Sequence, residues 1–150
     1  MEIRRCVNCM EELKAGESIC PHCGYDQQAR EENPWGLQRG TILKGRYLVG
    51  NVLGHGGFGI TYIGFDLVLS IKVAIKEYFP MGSVTRDHSR SNRLLWGTAQ
   101  SSQGQRRAGC ESFLKEARRM AKIDTIPEIV RVRDTFLENQ TAYIVMDFVE

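Results

Sequence analysis

From Arg46 onward, apolar and polar residues alternate in short runs separated by glycines and polar turns, the pattern of strands. Tyr47, Val49 and Leu53 keep a period of two up to Gly54-His55-Gly56-Gly57-Phe58-Gly59. The β-branched and aromatic run Ile60-Thr61-Tyr62-Ile63 follows at once, so these glycines join two strands and do not open a helix. Such a turn lets backbone amides approach a phosphate closely; without a ligand it is a flexible hairpin. The next strand, Ile71 to Lys76, puts Ile71, Val73 and Ile75 on one face and Lys72, Ala74 and Lys76 on the other. The small Ala74 leaves room for a flat ring, and Lys76 beside it can meet phosphate. Taken alone, Lys76 reads as a solvated strand lysine.

A helical period replaces this alternation over Glu111 to Ile123, where Phe113, Leu114, Ala117, Met120 and Ala121 share a face. Lys115, Arg118, Arg119 and Lys122 lie opposite. Glu116 falls inside or at the edge of the apolar arc. A carboxylate there takes a partner, with Lys76 a candidate, or snorkels to water, and periodicity leaves both open. Two more strands are predicted, Ile129 to Phe136 and Thr141 to Phe148, joined by the turn Leu137-Glu138-Asn139-Gln140.

The first 36 residues are built differently. Cys6-Val7-Asn8-Cys9 and Cys20-Pro21-His22-Cys23 are two CxxC pairs with ten residues between them, the spacing of a four-sulfur zinc ribbon. Residues 1–26 are too few for an apolar core, so a metal supplies most of their folding free energy. Disulfides need an oxidising compartment that nothing here suggests. A thioredoxin-like pair needs a βαβ surround. Iron fits the same sulfurs, and zinc is preferred on availability. His22 reads as solvated, and Cys110 as an ordinary buried or half-buried thiol. Residues 27–36 read as a polar linker.

Composition adds limits. The chain has 150 residues, 42% hydrophobic and 25% charged, with a net charge of +2, which gives no reason for nucleic acid or anionic membrane as the main partner. Residues 1–36 carry four basic and seven acidic side chains, which further disfavours nucleic acid at the ribbon. There is no run of eighteen apolar residues and no secretory leader, so a cytoplasmic location is the default expectation.

The runs Gly45-Arg46-Tyr47, Leu53 through Tyr62 and Val73-Ala74-Ile75-Lys76-Glu77-Tyr78-Phe79-Pro80 together resemble the N-terminal lobe of a protein kinase. The resemblance is to bacterial eukaryotic-type serine/threonine kinases, of a subgroup in which a zinc ribbon can precede the kinase domain. It covers residues 37–150. It implies an α+β fold: the ribbon, a linker, then a five-stranded antiparallel sheet with one main helix.

By the same resemblance, Gly54, Gly56 and Gly59, with Gly57 and Phe58 between them, cover phosphates. Lys76 meets the α- and β-phosphates, and Glu116 orients it. Leu53, Thr61 and Ala74 wall the adenine, Met146 is the gatekeeper, and Asp147 and Val149 are hinge positions. ATP and Mg2+ are the implied cofactors beside Zn2+, and a protein substrate or signalling partner is implied as well. Thr61 departs from the usual valine. Residues 81–109, with five arginines and one aspartate, are expected to form a solvated loop in preference to a docking surface. The catalytic loop, the magnesium ligands and the activation segment would lie past Glu150, so no C-lobe is expected here and the chain alone should not phosphorylate. The alternatives are a non-catalytic interaction scaffold and a nucleic-acid-binding zinc protein with a kinase-like remnant.

Overall fold

The computed structural model describes residues 4–29, 35–87, 92–97, 100–122 and 131–149. In the cysteine module, β1 (Arg4–Arg5) and β2 (Glu12–Leu13) form a small antiparallel hairpin. The strands of the main sheet are β3 (Ile42–Leu43), β4 (Tyr47–His55), β5 (Gly59–Asp66) and β6 (Ile71–Tyr78), with two more near the C-terminus. Next come the hairpin strands β7 (Val84–Arg86) and β8 (Leu94–Trp96), the helix α1 (Gln100–Ala121), and then β9 (Val132–Glu138) and β10 (Thr141–Asp147). The main sheet is antiparallel in the order β3-β4-β5-β6-β10-β9. The five expected strands are present, and β3 adds a sixth of only two residues at one edge.

Register decides what each face presents. Thr61, Lys76 and Ile144 form one cross-strand row, and Ile63, Ala74 and Met146 form the next row on the same face. The opposite face carries the rows Ile60–Glu77–Tyr143 and Tyr62–Ile75–Val145. This second face is the core: Tyr47, Val49, Tyr62, Val73, Ile75, Tyr143 and Val145 are buried there with Leu37, Val84 and Leu94. Tyr47 and Tyr143 both stack on Phe136, with ring centroids 5.8 and 5.2 Å apart.

Val84 and Leu94 correct the expectation for residues 81–109. The described part of that segment is not a solvated loop: β7 pairs with β8 over the core face, and the residues from Gln100 belong to α1. The cause is Glu77. Alternation sends its side chain into the core, where it is 0% exposed, and the insertion returns Arg86 to meet it. The guanidinium Nη1 and Nη2 donate to Oε2 and Oε1 at 2.9 and 2.5 Å. The Tyr62 and Tyr143 hydroxyls donate to the same two oxygens at 2.8 and 2.6 Å. Arg86 also donates to the carbonyls of Trp35 and Asn92. The buried pair is therefore fully hydrogen-bonded, the condition under which burying two charges is tolerated.

The helix begins eleven residues before the predicted Glu111. The helix comes up against β6 at Gly109, which has no side chain; a Cβ there would sit 2.0 Å from the Tyr78 hydroxyl. Cys110 is buried in that contact with Tyr78 and Ala142, flanked by Phe113 and Leu114. Ile123, Ile129 and Val130 lie outside the described residues. Leu137 and Glu138 extend β9, so the predicted turn tightens to Asn139-Gln140, both at positive φ (53° and 62°), as a two-residue hairpin requires.

Candidate functional site

Cys6, Cys9, Cys20 and Cys23 come together at the tip of the N-terminal module, their sulfurs all within 4.8 Å of one another. The Cys6–Cys23 and Cys9–Cys20 separations are 3.6 and 3.7 Å. These are far too long for disulfides, and they match the ~3.8 Å edge of a tetrahedron with metal–sulfur bonds of ~2.3 Å. The amides of Asn8 and His22 donate to the sulfurs of Cys6 and Cys20, and Gln27 Nε2 donates to Cys6 Sγ at 3.1 Å. Such donors stabilise thiolate ligands. Burial works upward on the Cys23 thiol but is outweighed by hydrogen bonds from the Tyr25 amide and Asn8, which leave it near 7. Burial pushes Cys9 up to about 12. The donor set fits a zinc ribbon. Tyr25, Asp26 and Gln27 join the module, Asp26 through a bridge to Ile19 and Gln27 through Val7 and Cys6.

The second constellation lies on the sheet face away from the core. Thr61 and Lys76 are cross-strand neighbours, and Ala74 sits between Ile63 and Met146, 9% exposed. Gly54 faces Thr61 at the end of β4. The glycine turn is closed by Gly56 N to Gly59 O at 2.9 Å and tied to the end of β6 by Phe79 N to Phe58 O and Met81 N to Gly57 O. Gly59 lies close to Glu77 O and Lys76 Cε, so it is a packing glycine. Gly54, Gly56 and Gly57 have open space around them and no positive φ, so nothing within the chain demands glycine there. Their bareness leaves the backbone open to a ligand.

The remaining predicted positions are solvent-facing. Leu53, Phe58 and Val149 are exposed, and Met146 and Asp147 are half-buried. The Asp147 carboxylate accepts a bond from Arg133 Nε. Lys76 points along α1, with Nζ 5.9 Å from the Phe113 ring centroid. Glu116 is not in the apolar arc: its side chain is 61% exposed and pairs with Arg119 at 3.6 Å. Among the described residues no ion pair joins it to Lys76. Cys110, Ala117 and their neighbours turn inward, and Glu116 lies one residue off that stripe.

Sequence reasoning missed the seating of the ribbon on this same face. Met10 is 1% exposed against Ile63 and Phe65, flanked by Leu48 and Phe148. Arg5 stacks on Phe65 at 3.7 Å, and Lys72 pairs with Glu11 at 2.9 Å. The only signal was Met10 itself, an apolar residue directly after a ligand in a module whose own core is little more than Leu13 and the cysteines.

An antiparallel sheet with one helix and a lysine row beside an open glycine turn, in an α+β fold, matches the N-terminal lobe of a protein kinase. The chain is 31% identical over 111 residues to serine/threonine-protein kinase PrkC of Bacillus subtilis (strain 168), across 74% of this chain and 14% of PrkC. It is 33% identical over 114 residues to serine/threonine-protein kinase PksC of Streptomyces coelicolor (strain ATCC BAA-471 / A3(2) / M145), across 73% of this chain and 16% of PksC. The solved apo form of PpkA-294 superposes with a TM-score of 0.68 at 30% identity, over 76% of this chain and 39% of that one. No protein-family model matches. The chain's relatives are thus bacterial serine/threonine kinases, and it spans about one-seventh of their length. No helix among the described residues is long and apolar enough to cross a membrane.

Proposed function

We propose that the chain is the ATP-binding portion of a serine/threonine protein kinase, residues 37–150, preceded by a zinc ribbon at residues 1–26 and a linker. The observation that carries this reading is the pair of rows Ile63–Ala74–Met146 and Thr61–Lys76–Ile144 beside a glycine turn that the chain's own packing does not explain. In this reading adenine lies against Ala74 between Leu53, Thr61 and Met146, and backbone groups of Asp147 and Val149 bond its edge. Gly54 through Gly59, with Phe58 at the tip, cover the phosphates. Lys76 meets the α- and β-phosphates. Magnesium ligands and the group that receives the hydroxyl proton belong to a C-lobe, so transfer to a protein substrate requires one, and this chain alone is inactive. A cytoplasmic, reducing compartment suits a four-thiolate zinc site.

Glu116 completes the set only if α1 moves. Phe113 now stands over Lys76, and Glu116 follows three residues later, ~4.5 Å along the axis. A shift of that size, with a turn of ~60° about the helix axis, exchanges an aromatic neighbour for a carboxylate and assembles the Lys76–Glu116 pair. The present separation of the two is what would favour a non-catalytic scaffold.

The test is a titration of the chain with Mg·ATP followed by backbone amide NMR. Shifts should concentrate at Leu53, Ala74, Asp147 and Val149, with half-saturation in the millimolar range because the face has no floor. Lys76→Met should weaken binding roughly tenfold, the loss of one phosphate contact worth ~1.4 kcal/mol. No shifts on this face at saturating nucleotide would overturn the reading. In a kinase completed with a C-lobe, Glu116→Gln and Lys76→Met together should be no worse than Lys76→Met alone; full activity in Glu116→Gln would instead support a scaffold.

A further inference from the structure

The ribbon does more than sit beside the sheet; its metal-binding turn is wired into β4. The ladder between β4 and β5 runs in register to Val49↔Gly64 and resumes at Val52↔Tyr62. The intervening residues are Gly50 and Asn51, and the Asn51 amide turns to the Val7 carbonyl at 2.8 Å. Val7 lies between two of the four cysteines, in the turn Cys6-Val7-Asn8-Cys9. Its own amide is held by Gln27 Oε1 at 3.0 Å, and the same Gln27 side chain donates to Cys6 Sγ. Asn51 Nδ2 also reaches Asn8 Oδ1 at 3.3 Å.

The fit at this point is close. A Cβ on Gly50 would lie 2.4 Å from Val7 O and 2.6 Å from Met10 Cε. Only glycine lets the cysteine turn enter the bulge. Leu53 and Gly54 are three and four residues further along β4, ~10 Å away, with a second register shift between Val52 and Gly54 on the way. On the next strand Met10 covers Ile63, the row-mate of Ala74 and Met146.

We propose that metal bound in the ribbon sets the position of β4, and through it the roof over the nucleotide face, with Gly50, Val7 and Met10 as positioning residues. The inference rests on reading that face as a nucleotide site, but the coupling itself is a property of the ribbon and the strand. Four thiolates hold the Cys6–Cys9 turn in one shape only while a metal neutralises them. Without it the Val7 carbonyl leaves the bulge, the Asn51 amide is freed, and β4 is released from its seat. Coupling of this kind is reciprocal, so ligand on the sheet face tightens metal binding.

Amide hydrogen exchange on the full chain, zinc-loaded and after chelation, reads the coupling without any enzymatic activity. Chelation should speed exchange at Asn51 and Val52 by roughly tenfold or more, while Ile75 and Tyr143 at the sheet centre keep their protection. Gly50→Ala should give the same local acceleration with zinc still bound. Should that variant disturb the whole strand, Met10→Ser loosens the seat from the ribbon side and should reproduce the effect at Asn51. Unchanged exchange at Asn51 after chelation overturns the proposal. Acceleration shared equally by Ile75 and Tyr143 also overturns it, because zinc is then a ligand for folding as a whole. A zinc-loaded chain that shows the exchange effect but no Mg·ATP shifts would sink the nucleotide reading alone.

Discussion

Glu77 follows Lys76 by one position, and the period of two sends these neighbours to opposite sides of the sheet. Lys76 reaches solvent beside α1, while Glu77 is enclosed with Arg86, Tyr62 and Tyr143. Replacing Glu77 with leucine should cost about 3–5 kcal/mol, because Arg86 would then be buried without a counter-charge. Removing both charges in Glu77→Leu/Arg86→Met should be less damaging than Glu77→Leu alone, as urea unfolding would show. A double variant that loses at least as much would mean that the pair acts independently of its burial. The sequence carried half of this: Glu77 continues the core-facing series Val73, Ile75, and a carboxylate at such a position demands a partner. It could not name Arg86, because that contact depends on a hairpin with little apolar pattern of its own. Asp66 shows a second charge at work. Two bonds from Arg46, at 2.9 and 2.8 Å, hold its carboxyl below the usual range against the opposing effect of burial. A lowered native pKa stabilises the fold above the unfolded value of about 3.9, and that stabilisation fades as pH falls through the native value. Wild type should therefore exceed Asp66→Asn in urea midpoint near neutral pH, and the gap should close below about pH 4. A gap that widens in acid would contradict the pairing.

Among the elements, α1 is the one least legible in the chain. Its second half shows an apolar stripe, and the first half, Gln100 through Gly109, shows two glycines and polar residues that read as loop. That half is held by polar contacts from Gln103 to the Gly97 carbonyl, Gln105 to Ser83 and Arg106 to Gln140, and it ends at Gly109, which meets Tyr78 of β6 more closely than any side chain allows. Tertiary contact here overrides propensity. The two effects can be set against each other. Gly109→Ala should gain up to ~1 kcal/mol of helix propensity and lose about 1–3 kcal/mol to overlap with Tyr78, so the net should be destabilising. Thermal unfolding followed at 222 nm checks the sign. A more stable variant would show that the helix is free to stand away from Tyr78. The strands were legible because alternation is local, and the glycine turn because a β-branched run follows it. Edge strand β3 was not, since two residues carry no period.

At the scale of the whole molecule, two unequal bodies meet on one face of the main sheet. The ribbon has the four-cysteine spacing that its sequence announces, but its seat against Ile63 and Phe65 was invisible because no spacing encodes a contact between modules. Cys20→Ser should lose the metal and unfold residues 1–26 while the sheet survives. The loss of Met10 burial should lower the sheet's own stability by about 1.5–3 kcal/mol. Both tryptophans, Trp35 and Trp96, lie outside the ribbon, so their fluorescence in urea reports the sheet alone, and elemental analysis reports the metal. Retained metal in that variant would end the four-cysteine assignment. The buried cluster around Glu77 also constrains how such a chain can change over generations. The hairpin from Val84 to Trp96 looks like an ornament that a lineage could discard, yet its loss would leave the Glu77 carboxylate in the core with two phenols and no counter-charge. A shortened descendant that kept Glu77 would bury a carboxylate without its cation and lose stability, whereas one that replaced Glu77 in the same step would not.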